Sequence, residues 1–203
     1  MSESTPIAVF DFDGTVYRKD TMMQFCWYVY KQHPLRLRYA PLQLIAAVFY
    51  YIGLIPLLTF KSLFLRYTAG WSELELKEHV DAFWKSQGYV VFHDKLVEHI
   101  KSLQSQNVYC VCISASPVLF IAPACERLGF HDVLGSEIAK QNQFWTFTYN
   151  CRGENKVAVL KKKYPNTPIK VVFSDNHDDQ ALFALAQEAY WVKNGNCVPF
   201  KAP

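Results

Sequence analysis

An α/β fold, with a parallel sheet covered by helices on both faces and an inserted all-helical cap, is predicted by three observations. Short apolar runs recur at 7–10, 108–114, 169–174 and 189–192. Helical patterns precede the last three, at about 93–105, 154–164 and 178–187. Between the first run and the second lie about 90 residues without a strand signal. Strands that alternate with helices pair in parallel and place the helices on the sheet faces.

Each element has its own justification. Ile7, Ala8, Val9 and Phe10 are all apolar behind a polar leader, as a strand buried on both faces requires, and a strand is expected at roughly 7–11. "VYCVCIS" (108–114), "IKVVFS" (169–174) and "AYWV" (189–192) supply further strands. "QNQFWTFTYN" (141–150) reads as a small hairpin, two extended arms around a polar turn. The span 18–90 reads as helical, and Ser72 with Glu75 makes a capping-box pattern ahead of one helix. The expected organisation is a discontinuous core, 1–17 and 91–203, interrupted by a helical cap, 18–90.

Bulk properties narrow the function classes. The 203 residues suffice for one domain with an insertion. A net charge of +3 is too weak to argue for nucleic acid. The six cysteines show no CxxC and no metal-type spacing, which reads as reduced thiols in a cytosolic setting. The first residues carry neither a basic region nor an apolar h-region, so no secretory signal is expected.

The chemistry concentrates at strand ends. In "AVFDFDGTVY" (8–17), Asp11 and Asp13 sit where the first strand gives way to Gly14. Carboxylates beside a core are costly to desolvate, so their presence implies a task. Positions i and i+2 of an extended segment project to one side, and ligands bind beyond the carboxyl ends of strands in open α/β sheets. A second acidic group, Asp175, Asp178 and Asp179, follows the third run. If a helix starts there, Asp175 and Asp179 share a face. Such an oxygen-rich pocket repels itself without a cation, and Mg²⁺ suits carboxylate and water oxygens. Ser114 ends the second run, and its hydroxyl with the following N–H groups at Ala115 and Ser116 suits a phosphate oxygen. Lys156 offers a point charge to the same oxygens. Together these groups describe phosphoryl transfer through an aspartyl-phosphate. Gly14, Thr15 and Ala115 complete the expected phosphate-binding set. His177 is read without a role. Arg18, Lys19 and Arg152 are read as surface charges that could also meet a second anionic group.

These motifs resemble the haloacid dehalogenase superfamily. "DFDGT" matches its first motif, Ser114 in "CISAS" its second, Lys156 its third, and "SDNHDDQALF" resembles its fourth, with Asp175 and Asp179 as the two acids. Ser174-Asp175-Asn176 departs from the usual Gly-Asp-Ser. The resemblance implies a Rossmann-like core, with Asp11 as nucleophile and Asp13 as acid and base. It also implies Mg²⁺ held by Asp11, the Asp13 carbonyl and Asp175, with Asp179 as ligand or outer support. An acid at position 13 implies a phosphatase, and the insert after the first motif resembles the phosphoserine-phosphatase-like branch. More narrowly, "HPLRLRYAPLQLI", "CRGENKVAVL" and "SDNHDDQALF" resemble the phosphatidylglycerophosphatase C family, implying a phospholipid headgroup as substrate. The alternative is a soluble phosphatase for a small ester such as phosphoserine. A receiver-type signalling domain is disfavoured by the cap and the DxDxT order, and a silent binding protein by the complete motif set.

The cap raises a membrane question. From Thr21 to Ser72 there is no Asp or Glu, yet Lys31, Arg36, Arg38, Lys61 and Arg66 are present. Residues 39–60 carry no charge, and as one helix they would reach about 33 Å, enough to span a bilayer. One crossing would split the active-site residues between two sides of the membrane, and Pro41, Gly53 and Pro56 break the stretch. The expectation is a helical hairpin on one anionic leaflet, making the protein cytoplasmic and peripheral or monotopic on the inner membrane.

Overall fold

The computed structural model describes residues 5–200. Seven strands, β1 (Ile7–Phe10), β2 (Tyr109–Pro117), β3 (Asp132–Gln141), β4 (Phe144–Tyr149), β5 (Ile169–Ser174), β6 (Ala186–Lys193) and β7 (Asn196–Pro199), form one sheet ordered β4-β3-β2-β1-β5-β6-β7. The inner five run parallel, and β4 and β7 are antiparallel edges. Strand β1 is central because both its faces are apolar. Ala8 and Phe10 join one core cluster, and Ile7 and Val9 join the other.

Five α-helices intervene between β1 and β2, the first four being α1 (Thr21–Gln32), α2 (Ala40–Tyr51), α3 (Leu57–Phe64) and α4 (Glu73–Ser86). Asp20 caps α1 by accepting from the Met23 N–H at 2.8 Å. The Ser72–Glu75 capping box forms as its spacing predicts. The later helices are α5 (Asp94–Ser105), α6 (Val118–Arg127), α7 (Glu154–Lys163) and the short α8 (Gln180–Phe183). Helices α1, α4, α5 and α6 pack on the Phe10 face, and α7 and α8 on the Val9 face. Phe25 of α1, Phe83 of α4 and Phe120 of α6 join the cap to the core through edge-on ring contacts.

Some boundaries depart from the sequence reading. The hairpin at 141–150 is the end of a longer one: its first arm begins at Asp132, where β3 pairs in parallel with β2. The strand is hidden in sequence by Gly135 and by charged positions, and neighbouring strands impose it from both sides. Gly135 is required there, since a Cβ would lie 2.8 Å from the Ser116 carbonyl oxygen. The helix expected at 178–187 contracts to one 3₁₀ turn (His177–Asp179) and α8, because the chain from Ala186 pairs with β5. Asp175 and Asp179 therefore do not share a helix face. The apolar stretch 39–60 folds into two helices, α2 and α3, turning at Gly53 (φ +76°) and Pro56. Among the described residues no helix is long and apolar enough to cross a membrane.

Candidate active site

The carboxyl ends of β1, β2 and β5 meet at one cavity of about 250 Å³, lined by Asp11, Asp13, Ser114, Lys156, Asp175 and, from the cap, Lys61. Asp11 follows β1 directly and is held there because its N–H donates to the Phe173 carbonyl of β5 at 2.9 Å. Its Oδ1 accepts from the Phe12 N–H and lies 2.8 Å from Lys156 Nζ. Lys156 Nζ also lies 2.7 Å from Asp179 Oδ2, and the triad is almost wholly buried. Burial pushes the Asp11 carboxyl up to about 7 against the pull of Lys156, with Asp179 and Asp175 adding to the rise. Burial alone would lower Lys156; the two carboxylates outweigh it and hold the ammonium charged.

Asp13 has a different environment. Its Oδ1 accepts from the Thr21 N–H (2.8 Å) and from the Thr21 hydroxyl, and its Oδ2 accepts from the Ser116 hydroxyl at 2.5 Å. Burial, and then the charge of Asp20, pushes it up to about 6, against these hydrogen bonds. A carboxyl poised there can hold or release a proton near neutral pH, as a general acid and base must.

Gly14 and Thr15, expected against phosphate, position Asp175. The Thr15 hydroxyl donates to Asp175 Oδ1 (2.8 Å) and accepts from the Asp175 N–H (2.9 Å). Gly14 has φ +76°, and a Cβ on it would lie 2.2 Å from Asp175 Oδ2, so glycine leaves the space this carboxylate occupies. Asp179, expected as a metal ligand or outer support, turns to Lys156 and to the Ser174 hydroxyl (2.6 Å), and its Oδ1 is buried without a hydrogen-bond partner.

The departures in the fourth motif are structural solutions. Ser174 supplies the bond to Asp179 that glycine could not, and its oxygen accepts from the Asn176 N–H. Asn176 caps the following turn, its Oδ1 accepting from the Asp178 N–H at 3.0 Å.

Ser114 and Ala115 reach the cavity. The Ser114 oxygen accepts from the Ser116 N–H at 3.1 Å, at the end of β2 where its register against β3 shifts. The Ala115 carbonyl is occupied by Lys61 Nζ (2.8 Å) and the Ser136 hydroxyl (2.7 Å). Arg152 lines the cavity while pairing with Asp178 at 2.5 Å. Arg18 is bound to the Phe92 carbonyl and Asp94, and Lys19 to Gln24, outside that lining. The His177 ring lies against Trp191.

Sequence reasoning missed three groups: Lys61, Thr21 and the role of the Ser116 hydroxyl. Thr21 and Ser116 carry no motif signal, since both act only by folding against Asp13. Lys61 had one available signal, as the first charged residue after the apolar stretch.

Among the described residues no three His, Cys, Asp or Glu side chains form a ready-made metal cage. The donor chemistry still fits Mg²⁺, which uses one or two carboxylates and keeps water as its other ligands. Asp11 and Asp175 both have pKa values raised by burial, and each is influenced by Asp179 in the same direction. A divalent cation relieves such crowding of carboxyl groups.

Solved structures share this architecture. A protein of unknown function from Bordetella pertussis Tohama I is 15% identical, with a TM-score of 0.78 over 93% of this chain and 90% of its own. A phosphoserine phosphohydrolase-like protein from Francisella tularensis subsp. tularensis SCHU S4 is 14% identical, with a TM-score of 0.62 over 92% and 86%. A substrate-bound phosphoserine phosphatase is 12% identical, with a TM-score of 0.58 over 93% and 86%. At these identities the likeness concerns the fold. The family model for haloacid dehalogenase-like hydrolases matches residues 8–184, from β1 through the turn that carries Asp179, and the chain belongs to that family.

Proposed function

We propose that the chain is a Mg²⁺-dependent phosphomonoesterase working through an aspartyl-phosphate, and that its substrate is a phospholipid headgroup such as phosphatidylglycerophosphate. The observation that carries the reaction type is the division of labour between Asp11 and Asp13. One carboxyl is ion-paired to a buried lysine, and the other is hydrogen-bonded by hydroxyls and poised near neutrality. An Asp11 oxygen attacks phosphorus, the bond to the leaving oxygen breaks, and Asp13 gives that oxygen its proton. Water then attacks the same phosphorus while Asp13 takes a proton from it. Phosphate leaves and Asp11 is a carboxylate again. Mg²⁺, held by Asp11, Asp175 and the Asp13 carbonyl, would neutralise charge on the phosphoryl oxygens. Lys156 favours the ionised form of Asp11 and orients it.

The headgroup assignment is supported by the resemblance of the cap and the Lys156 and Asp175 segments to the phosphatidylglycerophosphatase C family. The test is phosphate release from phosphatidylglycerophosphate in mixed micelles beside phosphoserine, together with hydroxylamine trapping of radiolabelled enzyme. Preference for the lipid is expected, as is loss of the label and about 10⁴-fold of kcat in Asp11→Asn. Preference for phosphoserine would remove the lipid assignment and keep the mechanism. Full labelling of Asp11→Asn would remove the nucleophile.

A further inference from the structure

Helix α2 is folded inside out. Its two buried residues are Gln43 and Ala46, while Leu42, Leu44, Ile45, Val48, Phe49 and Tyr51 are exposed. A helix packed on a soluble core shows the opposite pattern, apolar stripe inward and polar residues outward. Gln43 is 8% exposed and fully engaged: it accepts from the Tyr30 hydroxyl at 2.7 Å and donates to the Phe64 carbonyl at 2.7 Å. This polar attachment fixes which face of α2 points outward, and that face is hydrocarbon. Leu44 is 69% exposed, and at the turn Ile52 and Leu54 are 62% and 66% exposed. Helix α3 returns antiparallel with no buried residue, closed on α2 by the stacked Tyr50 and Phe60 rings, 5.2 Å apart. Of the 17 large apolar residues exposed among the described residues, 11 lie between Leu35 and Leu58. Scattered exposed apolar residues are ordinary, but a concentration of this kind marks an interaction surface.

We infer that the α2–α3 hairpin inserts its tip into one leaflet of an anionic membrane. Charge complementarity identifies the occupant: Lys31 and Arg38, just before the hairpin, are exposed, and the segment from Thr21 to Ser72 has no acid. An apolar tip with basic residues and no acidic rim matches lipid acyl chains beneath anionic headgroups. Helix α3 then joins two environments. Leu58 faces outward near the tip, and three residues later Lys61 donates into the candidate active site at the Ala115 carbonyl and at Asn150 Oδ1. Insertion therefore fixes the catalytic cavity at the membrane surface. This inference stands on the hairpin and not on the proposed reaction.

Flotation of the full chain with vesicles of phosphatidylglycerol and phosphatidylcholine, against phosphatidylcholine alone, tests it. The wild type is expected to float with the anionic vesicles. Ile52→Asp with Leu54→Asp is expected to lose at least about tenfold of the bound fraction while hydrolysing a soluble phosphomonoester as before. Asp11→Asn is expected to float like the wild type, so loss of turnover and loss of docking are read separately. Wild type remaining unbound, or equal binding by the double variant, overturns the inference. So does a lipid-free dimer that the double variant converts to monomer, since the face would then be covered by a second copy.

Discussion

The Ser116 hydroxyl donates to Asp13 Oδ2 across 2.5 Å, tying the end of β2 to the loop after β1. This bond favours the ionised form of Asp13 and opposes the rise caused by burial. Ser116→Ala removes it, so the Asp13 pKa climbs further above about 6. In the proposed mechanism Asp13 is protonated to release the leaving group and ionised to activate water. In the variant, the pH below which dephosphorylation of the intermediate slows moves upward, and the limb that needs the acid extends to higher pH. The measurement is a pH profile of single-turnover phosphorylation and dephosphorylation. An unshifted profile with a uniform loss of rate would show that Ser116 acts on packing alone.

Lys156 is the sole cation in a buried triad with Asp11 and Asp179. Lys156→Met leaves two buried carboxyls without a cationic partner, and breaking a buried ion pair in this way costs about 3–5 kcal/mol of stability. Part of that cost returns in Lys156→Met with Asp179→Asn, because one uncompensated charge is removed. Urea unfolding of the single and double variants, in chelator, gives the coupling. Additive losses would show that Asp179 does not depend on Lys156.

Gly14→Ala places a methyl group where Asp175 Oδ2 stands, at a φ of +76°. Asp175 must move away from the Thr15 hydroxyl that orients it. The expected outcome is a rise of at least about tenfold in the Mg²⁺ concentration for half-maximal activity, a loss on the scale of about 1.4 kcal/mol. Thr15→Val should change the same quantity in the same direction. A Mg²⁺ titration that is unchanged in both would detach Asp175 from metal binding.

Much of this arrangement is legible from residues 8–17 and 108–114, because apolar runs that end in functional groups reveal both strand and site. The parallel sheet follows from alternation, and the broken helix at 39–60 from Gly53 and Pro56. Positions whose conformation is imposed by neighbours are not legible. Strand β3 has a glycine and charged residues yet is held between β2 and β4. Thr15 and Gly14 read as phosphate ligands by their place in the motif, but their partner, Asp175, is 160 residues away in the case of Thr15. The fourth motif misled in spacing: i and i+4 predict a shared helix face, whereas a 3₁₀ turn sends Asp179 to Lys156.

Lys61 provides the last prediction. It is the basic cap residue that lines the cavity, and it is held by the Ala115 carbonyl and Asn150 Oδ1, each at 2.8 Å. Burial, reinforced by Arg152, lowers its pKa to about 8. Below that value it is an ammonium that attracts an anionic substrate and donates to both acceptors. Above it the charge is lost and the latch between cap and core weakens. KM is therefore expected to rise as pH passes about 8, with kcat changing less, because Lys61 lies outside the Asp11–Asp13 pair proposed to make and break bonds. Lys61→Met should show the high KM at every pH, raised about tenfold. Lys61→Arg, which stays charged across this range, should remove the pH dependence of KM even where its different shape changes the value itself. A KM that rises above about pH 8 equally in wild type and Lys61→Arg would place the titration on another group.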